Sequence, residues 1–335
     1  MKIGDIDLDR QVMIVAEVGN NHEGSFALAE KMIGRAAETG VNAVKFQTIV
    51  PEELISANQT ERIKQLGKFR LSYEDFEKLA RNANQEKVLF LSTPFDIESA
   101  RFLDSLVPAH KIASGDSTFF PLLDVIARTG KPILLSTGLT NLDETIHTKK
   151  FIFDIWNQLG IHQELAILHC VACYPTPASE ANLLAISTLK ELGITVGYSD
   201  HTLGIEAAVL SVALGARIIE KHFTLDKDYS SFRDHRLAAD PDELSLLVRR
   251  VREAEQMLGT GEKDLAECEK ESKEIIRRSI AAKADLAFGT IIKWEHLRWV
   301  RPGSGLPPGE EKGLLGKALK RSVKAGELLF PEDIE

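Results

Sequence analysis

Apolar positions along this chain follow two rhythms that alternate. Short β-favouring runs occur at "QVMIVAEV", "VNAVKFQ", "VLFLST", "AHKIAS", "PILLST", "LAILHC", "ITVGYS" and "ARIIEKH". Between or after them lie stretches with the three-to-four-residue spacing of amphipathic helices: Phe26–Thr39, Tyr73–Glu86, Phe119–Arg128, Leu142–Leu159, Leu183–Leu192 and Pro241–Leu258. Another helix-like segment, "IEAAVLSVALG", separates the last two runs. Strict βα alternation predicts a parallel sheet, and eight such units in about 250 residues predict a closed (β/α)8 barrel. An open doubly wound sheet is the alternative. It would place a Gly-rich phosphate turn after its first strand, and "EVGNNHEG" lacks that spacing. Between Gln47 and Val88 the insertion "PEELISANQTERIKQLGKFRL" predicts an extended loop on the active-site face, positioned to act as a lid.

The C-terminal ends of the runs are polar, and in a barrel that rim carries the chemistry. In chain order they offer Glu17; Lys45 and Gln47; Ser92 and Thr93; Lys111 and Ser114; Ser136 and Thr137; His169; Tyr198 to His201; Glu220 and His222. A single lysine at such a place is most often a solvated surface group. So many ionisable groups at one rim point instead to a site. His201 and His222 end neighbouring strands, so their imidazoles can converge. With a carboxylate such as Glu17 they would make a nitrogen–oxygen site for a borderline divalent cation, leaving positions for water and substrate. Two hydrogen-bonded rim histidines account for the spacing equally well.

After Leu258 the composition changes. "GTGEKDLAECEKESKE" is charged and glycine-punctuated, as a linker or exposed helix would be. The expected organisation is a barrel over 1–260, a linker over 261–276 and a small, mostly β domain over 277–335. A weak repeat lies inside that tail: "AFGTIIKWEHL" aligns with "KAGELLFPEDI", matching Gly289 to Gly326. Two hairpin-like halves predict a compact β module whose core is marginal alone, so that it packs on the barrel or on a partner chain.

Composition narrows the function classes. The net charge of −9 argues against nucleic-acid binding, which needs a basic face. No run approaches the length of a bilayer span, and "MKIGDIDLDR" has no signal-peptide character. Three cysteines in a chain of 335 residues make no disulfide framework, and a reducing cytoplasm is the expected setting. Cys170 and Cys173 form a Cys-x-x-Cys. Zinc would need two more ligands, and the prolines that follow prevent the helix a redox pair opens. His22, His110 and His235 read as loop or rim hydrogen-bonders, with His22 close enough to Glu17 to matter.

The segments "AEVGNNHEG", "VKFQT", "FLSTPFD", "HKIASGD", "ILLSTGL", "HCVACYPTP", "GYSDHTLG", "IIEKHFT", "RDHRLAADP" and "RPGSG" stand in the order found in sialic acid synthases. The chain closely resembles that family over nearly its whole length, and the family includes N-acetylneuraminate, legionaminate and pseudaminate synthases. The resemblance implies a (β/α)8 barrel followed by an antifreeze-like domain, in a domain-swapped homodimer. It implies condensation of phosphoenolpyruvate with an N-acylated hexosamine aldehyde: C3 of phosphoenolpyruvate attacks the aldehyde carbon, water captures C2, and phosphate leaves by C–O cleavage. It assigns Lys45, Gln47, Thr93, Lys111, Ser114 and Ser136 to phosphoenolpyruvate. His201 and His222 become ligands of a divalent metal, manganese by the resemblance, with magnesium or cobalt as substitutes. Glu17 becomes the acidic group beside metal and aldehyde, and Asp116, Tyr174, Asp234 and Arg301 become contacts of the acceptor sugar.

Two positions depart from the N-acetylneuraminate pattern. Asp116 replaces a glutamate and Ala172 replaces an asparagine, which leaves the acceptor open between N-acetylmannosamine and a diacetamido-trideoxyhexose. Two other functions remain to be weighed. A keto-deoxy sugar phosphate synthase would share the donor but lack the tail. A non-enzymatic sugar- or ice-binding protein would leave the rim groups idle.

Overall fold

The computed structural model describes residues 1–335 and divides into two compact units, Met1–Gly259 and Thr260–Glu335. The first contains eight parallel strands: β1 (Met13–Gly19), β2 (Ala43–Thr48), β3 (Leu89–Pro94), β4 (His110–Ile112), β5 (Ile133–Ser136), β6 (Leu165–Cys170), β7 (Thr195–Asp200) and β8 (Ile218–His222). Their lateral order, β3-β2-β1-β8-β7-β6-β5-β4, is cyclic. β1 pairs with β8, and the circle is interrupted only between β3 and β4. This is the expected (β/α)8 barrel. Helices α1 (Phe26–Glu38), α4 (Tyr73–Gln85), α5 (Ile97–Asp104), α6 (Phe120–Ala127), α7 (Leu142–Leu159), α8 (Ala185–Lys190), α9 (Glu206–Ala213) and α11 (Pro241–Leu258) complete the βα units, with a short α10 (Arg233–Leu237) ahead of α11.

Side chains alternate between the two faces of a strand, and here the two faces meet different cores. Outward residues such as Ile14, Val44 and Phe46 pack against the helices, as do Leu135, Ile167 and Val196. Inward residues change character along each strand. Met13 and Val15 precede Glu17, Ala43 precedes Lys45 and Gln47, and Leu91 precedes Thr93; Leu134 precedes Ser136, and Ile218 precedes Glu220 and His222. The apolar members fill the lower barrel, where an N-terminal hairpin (Lys2–Ile3 with Ile6–Asp7) adds Met1, Ile3, Ile6 and Leu8 to the same cluster. Burial of these aliphatic residues stabilises the barrel by roughly 1.5–3 kcal/mol each. The polar members are lifted to the C-terminal end.

The insertion after β2 is helical, where an extended loop was expected. It folds as α2 (Pro51–Leu54) and α3 (Thr60–Gly67). Pro51 sits at the first turn of α2 with Glu52 and Glu53 beside it, as the missing N–H and the helix dipole favour, and Leu66 gives α3 a buried anchor. The segment then crosses the β1–α1 turn so closely that a Cβ on Gly24 would lie 2.0 Å from the Lys68 carbonyl oxygen, which only glycine allows.

In the second unit, α12 (Lys270–Ile276) precedes strands β9 (Ser279–Ala282) and β10 (Leu297–Val300), which pair antiparallel. The internal repeat is present in the backbone. Gly289 and Gly326 both have positive φ, +78° and +84°. Each is followed by a short 3-10 turn, Trp294–His296 and Pro331–Asp333, at corresponding positions. The hydrogen bonds repeat as well. Gly289 N donates to Leu319 O, as Gly326 N does to Ala282 O, and Leu286 and Val323 exchange a reciprocal pair at the centre. The halves share one core, with Ile280, Ile292, Leu319, Val323 and Leu329 buried in it.

Candidate active site

The polar ends of the eight strands open into a cavity of about 950 Å3. On its floor Lys45 Nζ lies 2.7 Å from Glu17 Oε2 and 3.5 Å from Glu220 Oε2, and it donates to Thr93 Oγ1 at 3.1 Å. Lys111 Nζ lies 3.9 Å from the same Glu220 oxygen and donates to Ser136 Oγ at 2.8 Å. Ser199 Oγ donates to Glu220 Oε1, and Gln47 Nε2 donates to Glu17 Oε1 at 3.0 Å. Register explains the meeting: Glu17 pairs laterally with Lys45 on one side and with His222 on the other. Both lysines and both glutamates are nearly inaccessible to solvent.

Burial and charge then set the protonation states. Burial raises Glu17 to about 7, against the opposing pull of Lys45. Glu220 feels the same burial, but Lys111 and Lys45 outweigh it and hold the carboxyl below its ordinary range. Burial lowers Lys111, with Glu220 opposing. The floor is thus a balanced set of buried charges with hydroxyl donors around it. Two cations that already sit near carboxylates can turn to an incoming multiply charged anion, for which Thr93, Ser114 and Ser136 supply further hydrogen bonds.

Above this floor the aromatic groups converge. The His201 and His222 rings lie 5.5 Å apart, and Tyr174 lies 4.1 Å from His201 and 6.0 Å from His222. Arg233 stacks over Tyr174 at 4.7 Å, and its Nε reaches Asp234 at 3.3 Å. Eleven residues expected on the rim therefore share one cavity, Glu17, Lys45, Gln47, Thr93, Lys111, Ser114, Ser136, Ser199, His201, Glu220 and His222, and Tyr174 and Asp234, expected from the resemblance, line it too. Asp116 lies in the turn Ser114–Asp116 but outside the cavity wall, its carboxyl raised to about 6 by burial. Arg301 is an exposed residue of the second unit.

Residues 32–263 match the NeuB family, and residues 277–335 match the SAF domain. The chain belongs to the NeuB family. It is 39% identical to the N,N'-diacetyllegionaminic acid synthase of Legionella pneumophila, across 96% of this chain and 94% of that protein. It is 36% identical to the protein of the same name from Campylobacter jejuni, across 96% and 99%. Among solved structures, the N-acetylneuraminic acid synthetase of Leptospira borgpetersenii, crystallised with citrate, aligns at 34% identity with a TM-score of 0.76. That alignment covers 81% of this chain and 94% of the other.

Within this NeuB chain the histidine pair suits a metal in one respect and departs from expectation in another. His201 Nδ1 lies 2.7 Å from the Val171 carbonyl oxygen and donates its proton there, so Nε2 is the nitrogen left to face a metal when the ring is neutral. His222 Nδ1 is buried without a partner, and burial holds that imidazole well below its ordinary range, in its neutral ligating form. However, no three His, Cys, Asp or Glu side chains converge on one point. Glu17 is engaged by Lys45 and Gln47 instead of completing a triad with the histidines. Two imidazole nitrogens fit a divalent cation whose other positions belong to water and substrate.

The alternation of strand faces removes several rim candidates. His169 points away from the cavity, with Nε2 2.8 Å from the Ala181 carbonyl oxygen, and Ser92, Tyr198 and Asp200 also face outward. Cys170 is buried in the cavity wall while Cys173 is exposed, and both are free thiols. Arg62, Lys68, Phe69 and Arg233 also line the cavity and were not expected there. The first three belong to the insertion, whose position no local pattern discloses. Arg233 could have been found from its place beside Asp234.

Proposed function

We propose that this chain condenses phosphoenolpyruvate with an N-acylated hexosamine aldehyde, giving a nonulosonate and inorganic phosphate. The observation that carries the reading is the buried Lys45–Glu17–Glu220–Lys111 cluster under a ring of hydroxyls. A neutral-ligand site would not need two lysines desolvated at its floor. Lys45 and Lys111, with Gln47, Thr93, Ser114 and Ser136, hold the phosphate and carboxylate. C3 of the enol then forms a bond to the aldehyde carbon, whose oxygen takes a proton. Water adds to C2, and the C2–O bond to phosphate breaks to leave a ketone. Glu17, with its carboxyl raised to about 7, is the group suited to accept the proton of that water. His201 and His222 would hold a divalent cation, manganese in this proposal, which when bound supplies polarisation of the acceptor carbonyl. Tyr174, Asp234 and Arg233 lie where the acceptor hydroxyls would be read, and Asp116 contributes only if its turn adjusts.

Incubation with phosphoenolpyruvate and a panel of aldoses tests this, with phosphate as the readout. The panel contains N-acetylmannosamine, 2,4-diacetamido-2,4,6-trideoxymannose and a phosphorylated pentose. Release with an N-acyl sugar alone supports the reading. Release only with the phosphorylated pentose would move the chain to the keto-deoxy class, and the SAF match counts against that outcome.

We further propose a homodimer in which Arg301 serves the partner's barrel, as the resemblance of "RPGSG" suggests. Inactive Arg301→Ala and His201→Ala proteins, refolded together, should then recover about a quarter of wild-type activity. No recovery despite proven chain exchange would place Arg301 in its own barrel or outside catalysis.

A further inference from the structure

A second cavity, of about 620 Å3, lies beside the catalytic one. The two share Leu139, Cys170 and Ala172 as wall residues and so adjoin one another. The side cavity is built from the loops after β5 and β6 and the first turns of α7 and α8. Its walls are largely apolar and include Leu142 and Leu184, which are 42% and 71% exposed to solvent. No lysine or arginine lines it, and Glu180 is its only carboxylate, which excludes a phosphate or a second anionic substrate.

Its backbone is unusual as well. Of the four non-glycine residues with positive φ, Leu139 (+66°) and Asn182 (+42°) both stand in this wall. A bulky residue in that region is strained and persists where surrounding structure imposes it, commonly at ligand sites. Leu139 is also 76% exposed, so the strain does not serve to bury it. The strained residue stands on the boundary of both cavities.

We infer that the side cavity receives the N-acyl arm of the acceptor and is sized for acyl groups longer than acetyl. This rests on the N-acyl sugar reading above. Amide and hydroxyl groups of Asn141, Asn182 and Thr140 can meet the amide of such an arm while the leucines cover its alkyl part. Ala172 stands in the wall common to the two spaces, and its small side chain adds little to that wall.

The test compares N-acetylmannosamine with N-hexanoylmannosamine, by calorimetric binding and by phosphate release with phosphoenolpyruvate. In the wild type the hexanoyl sugar should bind at least as tightly as the acetyl sugar. Thr188→Trp fills the side cavity from an exposed position outside the catalytic machinery. It should lower hexanoyl affinity and kcat/KM at least about ten-fold while leaving the acetyl sugar within about two-fold. Leu184→Trp, another exposed wall position, should repeat the pattern. The inference is overturned if the wild type binds the hexanoyl sugar much more weakly than the acetyl sugar, or if Thr188→Trp moves both sugars equally or neither. Should neither sugar release phosphate, the condensation reading is decided by the diacetamido-trideoxy sugar of the panel above. The binding comparison still decides the side cavity.

Discussion

Lys221 and Asp200 form a buried ion pair, 2.8 Å between Nζ and Oδ2, on the face of the barrel away from the cavity. Both are essentially inaccessible to solvent, and they are direct lateral partners on β8 and β7. Each immediately precedes a cavity histidine, His222 and His201. Asp200 Oδ1 accepts from Thr202 N and Oγ1, and Lys221 also donates to Thr202 O, so the pair clamps the turn that follows β7. Such a pair contributes little net stability when intact but costs about 3–5 kcal/mol when one partner is removed. Lys221→Met and Asp200→Asn should therefore each destabilise strongly, and the double variant by much less than their sum. Urea unfolding of the four proteins measures this. Additivity within about 0.5 kcal/mol would show that the two side chains act independently.

In the proposed reaction Lys45 and Lys111 would each make a charge-assisted contact to the donor worth about 1.5–3 kcal/mol. Lys45→Ala and Lys111→Ala should raise KM for phosphoenolpyruvate by about ten- to a hundred-fold and change KM for the sugar little. Equal effects on both substrates would remove the anion cradle.

The histidine pair should govern metal dependence. His201→Ala and His222→Ala should retain the fold, since strand-end side chains contribute little to the barrel core, but lose manganese binding by calorimetry and nearly all turnover. Chelation of the wild type should do likewise, with recovery on adding manganese. Full activity in chelator would exclude a metal role.

His22 should make the first unit sensitive to acid. Burial lowers it from an ordinary 6.5 to about 4. Its folded value lies below its unfolded one, so the unfolded chain binds the extra proton and stability falls as pH drops from about 6.5 towards 4. The full effect is at most about 3 kcal/mol. His22→Gln should be less stable than wild type at pH 7, and the gap should narrow at pH 4.5 in urea titrations. A gap independent of pH would mean that folding leaves the His22 pKa unshifted.

Much of this protein is determined by local pattern. Alternating βα runs allow few topologies, because parallel strands need crossovers and eight units of this length close on themselves. His222 and Glu220 share parity with Ile218, an aliphatic residue one layer down, so their inward direction follows from period two alone. The tail repeat was readable because Gly289 and Gly326 require the same rare backbone conformation at the same distance from a short helical turn. Tertiary structure decided what depends on contacts between distant segments. The Glu17–Lys45 pairing and the rise of Glu17 depend on strand register and on exclusion of water, neither of which is a property of the residue itself. The insertion's cations reach the cavity because the segment at Lys68 and Phe69, just after α3, packs across Gly24, a contact between segments with no sequence relation. The side cavity is enclosed by the loops after β5 and β6 with the first turns of α7 and α8, and an empty volume leaves no mark on the pattern of any single segment.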